Sequence, residues 1–428
     1  MNSEIHRRIL DNGIVVLAAE NPAADIIAAR IFLRAGSRCV PANLAGLSHL
    51  LAAVLTKGTK HLSSQEIAER VESVGARLSA DASSDYFLLS LKTVSADFAE
   101  MLELAGQLLR SPTFPETEVE LERRIAMQAI RSQLEQPFAI AFEQLREVMY
   151  KDHPYAFSTL GTEATVSQVS RADIQNYHQT YFRPDNVVIS IVGRIQVSEA
   201  IALVTKVFGD WQAPATPLPT LSVTAMAKRH TIDISTKPRL TVTPQETQQS
   251  VVMLGYLTPE VNHPDYAAMK LLSTYLGNGL SSRLFVELRE KRGLAYDVSA
   301  LYPTRIDSSQ FVVYMGTAPE NSQIALEGLQ SEVERLTKAP LSEEELETSK
   351  NKMLGQYALG KQTNSQIAQI LGWYEILGLG IEFDKQFQTD IAAVSADFAQ
   401  EAACRYFTEP YISLVGPAAA VNQLVVTA

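Results

Sequence analysis

Residues 46–59 read GLSHLLAAVLTKGT, and this stretch is the most informative part of the chain. Apolar residues dominate from Leu47 to Leu55, and the glycine at each end of the run predicts one short buried helix. Residues three and four positions apart lie on the same face of a helix. We therefore expect Ala52 and Ala53 to share the face of His49.

The spacing of these residues matches an inverted zinc motif from which most of the functional groups are missing. In H-x-x-E-H, two histidines four residues apart bind the metal, and the glutamate activates the metal-bound water. Positions 49–53 here read His-Leu-Leu-Ala-Ala. A catalytic zinc normally needs three protein ligands, so one imidazole does not hold it, and we interpret His49 as a structural residue.

Length and composition indicate a globular protein of two domains. The chain has 428 residues, of which 46% are hydrophobic, and one hydrophobic core rarely grows beyond about 250–300 residues. The net charge of −11 and the lack of a Lys/Arg block argue against binding to nucleic acid or an anionic membrane. With two cysteines, no signal-peptide pattern and no apolar run of membrane-spanning length, we expect a cytoplasmic protein.

The two halves of the chain repeat one another in order. Three pairs of matching segments have offsets of 227, 225 and 223 residues: Phe114–Glu120 with Leu341–Glu347, Val169–Asp173 with Val394–Asp397, and Val192-Gly193 with Val415-Gly416. Such a steady offset indicates a duplicated domain. We predict an N-terminal domain at 1–212, a proline-rich linker at 213–230 and a homologous C-terminal domain at 231–428.

Local patterns predict an α+β fold, with two homologous α/β sandwich domains. Alternating strands at 28–33 and 86–91 are grouped with long amphipathic helices, and Asn12-Gly13 between apolar runs predicts a hairpin. Ser63 with Glu66, and Ser342 with Glu345, are typical of capped helix starts. Hairpins grouped with helices argue against a doubly wound parallel sheet.

Several segments together resemble the pitrilysin (inverzincin) family of zinc metallopeptidases. They are Gly46-Leu47-Ser48-His49, Thr56-Lys57-Gly58-Thr59, the helix after Phe114-Pro115, His153-Pro154-Tyr155 and the tract 281–299. The similarity extends over almost the whole chain, and it is closest to the branch of two-domain, processing-peptidase-like subunits of about 400 residues.

The resemblance implies where the remaining zinc-binding groups should stand. Active members carry the third ligand, a glutamate, about 76 residues after the second histidine, and a supporting glutamate seven residues before it. These positions are Ala129 and Glu122 here, so the supporting carboxylate remains while alanine stands at 52, 53 and 129. We expect this chain to bind no metal.

The C-terminal half keeps a different part of the family's machinery. The run from Ser281 to Tyr296 predicts a helix, a left-handed turn at Gly293 and the start of a strand. Arg289 and Tyr296 match an arginine and a tyrosine that, in the family, bind the peptide and stabilise the tetrahedral intermediate. Both side chains are hydrogen-bond donors, as an oxyanion requires.

The resemblance therefore implies a non-catalytic subunit of a heterodimeric zinc endopeptidase. Arg289 and Tyr296 are expected to act in trans, with zinc bound by a homologous partner that has H-x-x-E-H intact and with a peptide as substrate. Two alternatives stay open. One is a purely structural member of the family, and the other is a homodimer that binds peptides without cutting them.

Overall fold

The computed structural model describes residues 4–219 and 239–421. Within these ranges the strands are β1 His6–Ile9, β2 Val15–Glu20, β3 Ile26–Leu33, β4 Arg77–Ala82, β5 Phe87–Val94, β6 Val187–Gly193, β7 Leu240–Pro244, β8 Ser250–Thr258, β9 Ala295–Leu301, β10 Ser309–Thr317 and β11 Tyr411–Gly416. The α-helices are α1 Leu47–Leu55, α2 Ser64–Ser73, α3 Phe98–Arg110, α4 Glu116–Leu134, α5 Pro137–Tyr150, α6 Glu163–Gln168, α7 Arg171–Tyr181, α8 Val197–Phe208, α9 Tyr266–Gly277, α10 Ser322–Lys338, α11 Glu343–Leu359, α12 Asn364–Ile376, α13 Phe383–Ala393 and α14 Ala396–Tyr406.

These elements form two compact units. Unit 1 contains the described residues 4–130, 158–219 and 358–384, and unit 2 contains 131–157, 239–357 and 385–421. Residues 220–230 of the predicted linker lie outside the described residues. The predicted division of the chain at 213–230 stays a prediction.

Five strands have the same topology in the two units, and β1 is an additional edge strand of unit 1. In unit 1 the order is β1-β2-β6-β3-β5-β4, and in unit 2 it is β7-β11-β8-β10-β9. In each unit the last strand along the chain pairs in parallel with an early one: β6 with β2, and β11 with β7. All other strand pairs are antiparallel. The α+β fold with an internal duplication is therefore confirmed.

Each unit contains one helix from the other half of the chain. Helix α12 comes from the C-terminal half but packs on β3 and β6 of unit 1, and α5 comes from the N-terminal half but packs on β8 and β11 of unit 2. The opposite face of the unit 1 sheet carries its main core, where α1, α3, α7 and α8 bury alternate strand residues such as Ile31, Leu89 and Ile189. Each sheet is thus covered on both faces, although α12 covers only part of one face.

The predicted local signals are present. Asn12-Gly13 joins β1 and β2, and Gly13 has a left-handed φ of +94°. Ser63 and Glu66 form a reciprocal capping box at the start of α2, and Ser342 and Glu345 bond to each other's backbone N–H at the start of α11. Within the described residues, no helix is both long and apolar enough to cross a bilayer.

The packing of α12 onto the unit 1 sheet can be tested at Gly372. A Cβ added at Gly372 would lie 2.3 Å from the Phe32 ring and 3.1 Å from the Cβ of Ser190. Crowding a packed core costs about 1–3 kcal/mol, whereas alanine gains up to about 1 kcal/mol over glycine in a helix. We expect Gly372→Ala to lower the free energy of unfolding by about 1–2 kcal/mol in urea titrations.

Gly355 in α11 is the matched control, because a Cβ there has nothing within 4 Å. Gly355→Ala should raise the free energy of unfolding by about 0.5–1 kcal/mol. If the Gly372 variant is as stable as the Gly355 variant, the close packing of α12 on the sheet is wrong.

Candidate functional site

The first group of predicted residues lies on α1. Gly46 precedes the helix with a φ of +98°, and a Cβ there lies 2.6 Å from the Leu160 carbonyl oxygen, so this turn requires glycine. Leu50, Leu51 and Val54 are buried in the core and fix the rotation of the helix.

The remaining face of α1 carries His49, Ala52 and Ala53. Ala52 is buried, while His49 and Ala53 are half-buried. Burial lowers the pKa of His49, and the charges of Asp81 and Glu122 oppose this shift. The imidazole is therefore mainly neutral at neutral pH.

The second group lies on α4, and its carboxylate already has a cation. Glu122 forms an ion pair with Lys57, with 2.9 Å between Oε1 and Nζ. The Glu122 side chain is 12% exposed and that of Lys57 is 30% exposed. Ala129 lies two helical turns further along α4 and is exposed. Glu122 is thus neutralised by an ammonium group that follows α1 directly in the sequence.

These residues do not fit a zinc ion. One imidazole and one carboxylate remain where three protein ligands are needed, and the carboxylate is paired with Lys57. Within the described ranges 4–219 and 239–421, no three His, Cys, Asp or Glu residues are grouped so as to hold a metal. The sequence gave no signal that Lys57 would pair with Glu122.

The third group lies in unit 2, where a rare helix type carries Arg289. Residues Phe285–Lys291 form a π-helix, and Leu288 anchors it in the core. Such segments are uncommon and are frequently found at functional sites. The helix closes through bonds from Gly293 N to Arg289 O and from Leu294 N to Leu288 O, at 3.1 and 2.9 Å.

Gly293 makes the predicted left-handed turn, with a φ of +63°, and β9 starts two residues later. The guanidinium of Arg289 lies 5.0 Å from the ring of Phe285, and Tyr296 is 61% exposed on β9. Neither side chain has an ion pair or a hydrogen bond to any residue that the structure describes. Their donors are therefore free to reach a ligand.

Neighbouring cations are largely committed to structure. Arg283 binds Glu332, with 2.7 Å between Nε and Oε2, and Lys291 binds Glu287 at 2.8 Å. Two residues of α11 bind the loop before the π-helix. Lys352 donates a hydrogen bond to the backbone carbonyl of Asn278, and the side-chain amide of Gln356 donates one to the side chain of Asn278. This support fixes the start of the segment that carries Arg289.

Two models of one peptidase family match consecutive parts of this chain. A family model described as insulinase (Peptidase family M16) matches residues 15–163, and one described as Peptidase M16 inactive domain matches residues 168–353. The chain belongs to the M16 peptidase family. This confirms the resemblance to pitrilysin, and the inactive-domain match with the alanines at 52, 53 and 129 indicates the non-catalytic branch of M16.

Bacterial relatives span almost the same length. An uncharacterized zinc protease of Bacillus subtilis is 29% identical over 417 residues, which are 96% of this chain and 98% of that protein. One of Mycobacterium tuberculosis is 27% identical over 374 residues, 86% of this chain and 83% of the relative.

Two solved bacterial structures share the fold. A peptidase M16 inactive domain from Pseudomonas fluorescens has a TM-score of 0.86 at 24% identity, covering 98% of this chain and 99% of its own. A protease from Helicobacter pylori has a TM-score of 0.88 at 22% identity, covering 97% and 100%.

The degenerate site can be tested by restoring its missing ligands. Ala53→His combined with Ala129→Glu gives two histidines four residues apart on α1 and a carboxylate on α4. We expect this double variant to retain about one zinc per chain after gel filtration, measured by elemental analysis.

The control is the same double variant with His49→Ala, which removes one of the three ligands and should lose the metal. Equal zinc in the presence and absence of His49, or no zinc in either protein, would show that α1 and α4 do not face a common site.

Proposed function

We propose that this chain is the non-catalytic subunit of a heterodimeric zinc endopeptidase. The partner is a homologous M16 subunit with H-x-x-E-H intact, which holds the zinc and provides the hydrolytic water. This chain contributes Arg289 and Tyr296, which bind the peptide substrate. The pair acts on the partner's site because this chain lacks its own zinc-binding set.

The observation that carries the proposal is the availability of the two donors. Arg289 lies at the end of a π-helix, Tyr296 lies at the start of β9, and both side chains are exposed without a polar partner in the described part of the chain. The buried anchors Leu288, Ala295 and Val298 hold the two backbone segments in place. An exposed tyrosine and an exposed arginine on segments held by buried anchors support binding of a ligand.

The chemistry of the two groups suits a scissile carbonyl. The phenol O–H and the guanidinium N–H groups donate hydrogen bonds. Donors directed at the carbonyl oxygen stabilise the charge that develops on it during attack. The fixed charge of Arg289 also binds a carbonyl in the ground state, so its loss affects substrate binding as well as turnover.

Substitution of the two donors tests the proposal in a complex reconstituted with an H-x-x-E-H subunit from the same organism. Tyr296→Phe and Arg289→Gln each remove a donor, and loss of one oxyanion donor lowers turnover by about 10²-fold to 10³-fold. We expect a fall of this size in kcat/KM for an extended peptide. The zinc content of the complex should not change.

Arg292→Gln is the matched control, because Arg292 is an exposed arginine three residues from Arg289 that forms no ion pair within the described residues. Its kcat/KM should stay within about twofold of the unmodified complex, since the removal of an exposed charge alone has a small effect. Unchanged turnover in both test variants would favour a purely structural subunit.

A further inference from the structure

One face of the unit 1 sheet is only partly covered. Helix α12 lies over β3 and β6, where Gly372 contacts Phe32 and Ser190. Alternate residues of a strand point to the same face, so this face continues across β5 and β4 through Ser90 and Ser79. Burial decreases in that direction, from fully buried Ser190 to exposed Ser79.

Beside and beyond α12, this face carries three cations, Arg30 on β3, Lys92 on β5 and Arg77 on β4, which we call the cationic face; Asp81, two residues after Ser79 on β4, lies on the same face. Lys92 pairs with Arg77 in register, and Arg30 pairs with Ser90, one position diagonal to Lys92. Opposed side chains in a sheet start about 5 Å apart and diagonal ones about 7–8 Å apart. The side chains of Arg30 and Arg77 therefore both start next to Lys92.

These cations have little compensation within the described residues. None of the three forms an ion pair there, and Arg30 donates to the carbonyl oxygens of Ala29 and Leu91 at 3.1 and 3.4 Å. Asp81 is the carboxylate whose charge acts on Arg30. Like charges directly opposite in a sheet are destabilising, and here they persist in a chain of net charge −11.

Protection of the sheet edge accounts for only part of this charge. Edge strands commonly carry Lys or Arg to prevent pairing with other chains, and β4 is an edge strand, so Arg77 has this explanation. Arg30 lies on the third strand from that edge and is half-buried. Burial lowers its pKa, which means that keeping a charge at this position is unfavourable for the fold.

The duplicated unit shows that the fold does not need these cations. In unit 2 the register runs from Ser413 through Met253 and Tyr314 to Ser299, as it runs from Ser190 through Arg30 and Ser90 to Ser79 in unit 1. The positions of Lys92 and Arg77 are taken in unit 2 by Gly316 and Asp297, which pair in the same way. The same sheet thus forms with no positive charge on the matching face.

We propose that the cationic face binds acidic side chains of an extended peptide. Residues two apart in an extended chain point the same way at a separation of about 6.5–7 Å, which is close to the diagonal spacing of Arg30 and Lys92. Two carboxylates in the pattern acidic-x-acidic therefore fit the face, and the planar guanidinium of Arg30 suits a bidentate contact. The inference rests on the proposed function only in taking a peptide as the ligand.

Binding of defined peptides to the full chain, without any partner subunit, tests this inference. The probe is a fluorescein-labelled Gly/Ser peptide with two glutamates separated by one serine, and the comparison peptide has glutamine in place of both glutamates. We expect the acidic peptide to bind more tightly in fluorescence anisotropy titrations at low salt. Arg77→Gln with Lys92→Gln should weaken its binding about tenfold, and Arg30→Gln should weaken it as well.

The matched control is Lys338→Gln with Lys385→Gln, which removes two exposed charges from unit 2 and should leave the affinity within about twofold. Circular dichroism of each variant establishes that it is folded. The inference is wrong if the two peptides bind equally, if no binding is seen up to millimolar peptide, or if the control variant loses as much affinity as the test variant.

This experiment separates the inference from the proposed function. It needs no zinc, no partner and no turnover, so the proposed peptidase role can fail while acidic peptides still bind. Conversely, the inference alone would be wrong if Tyr296→Phe lowers turnover as expected but the acidic and the glutamine peptides bind with equal affinity. That result would retain the peptidase role and reject the cationic face as a recognition surface.

Discussion

The functional account depends on the ion pair between Lys57 and Glu122. A carboxylate that is 12% exposed needs a positive charge nearby, and the ammonium of Lys57, at 2.9 Å, supplies it. Because alanine stands at 52, 53 and 129, the motif positions provide only two groups that could bind a metal, the Glu122 carboxylate and the His49 imidazole. Lys57 therefore leaves Glu122 stable without a metal, and the fold can persist after the loss of the zinc-binding groups.

Duplication allows the two units of one chain to differ at exposed positions while both keep the same fold. Five strands follow the same order in both units, and each sheet packs against buried alternate residues and against a helix from the other half of the chain. Exposed positions are under no such constraint. Unit 1 carries cations where unit 2 carries Met253, Gly316 and Asp297, and unit 2 carries the π-helix with Arg289 at the place where unit 1 has the ordinary helix α2.

Much of the local structure followed from the sequence, because its causes are local. The left-handed turn at Gly293, the capping box at Ser63 and the hairpin at Asn12-Gly13 each depend on a few adjacent residues. The duplication was visible because its segments keep their order and spacing. The predicted site positions 49, 122, 289 and 296 rest on the family's pattern of residues rather than on any single residue, and their roles stay predictions.

The remaining features could not be predicted because they depend on pairing between distant residues. Exchange of α5 and α12 between the halves leaves no trace in helix periodicity, since both helices are amphipathic in either location. The cationic face requires knowledge that Lys92 lies opposite Arg77 and diagonal to Arg30, which the alternating pattern of each strand does not contain. Likewise, the partner of Glu122 depends on how α4 packs beside the end of α1.

The central claim is that this chain cannot generate its own hydrolytic nucleophile. The most direct measurement is the zinc content of the purified, unmodified chain together with its cleavage of an extended peptide, alone and after addition of an H-x-x-E-H subunit. The account predicts no stoichiometric zinc and no cleavage by the chain alone, with cleavage restored in the mixture. One tightly bound zinc per chain, with chelator-sensitive cleavage in the absence of any partner, would contradict it.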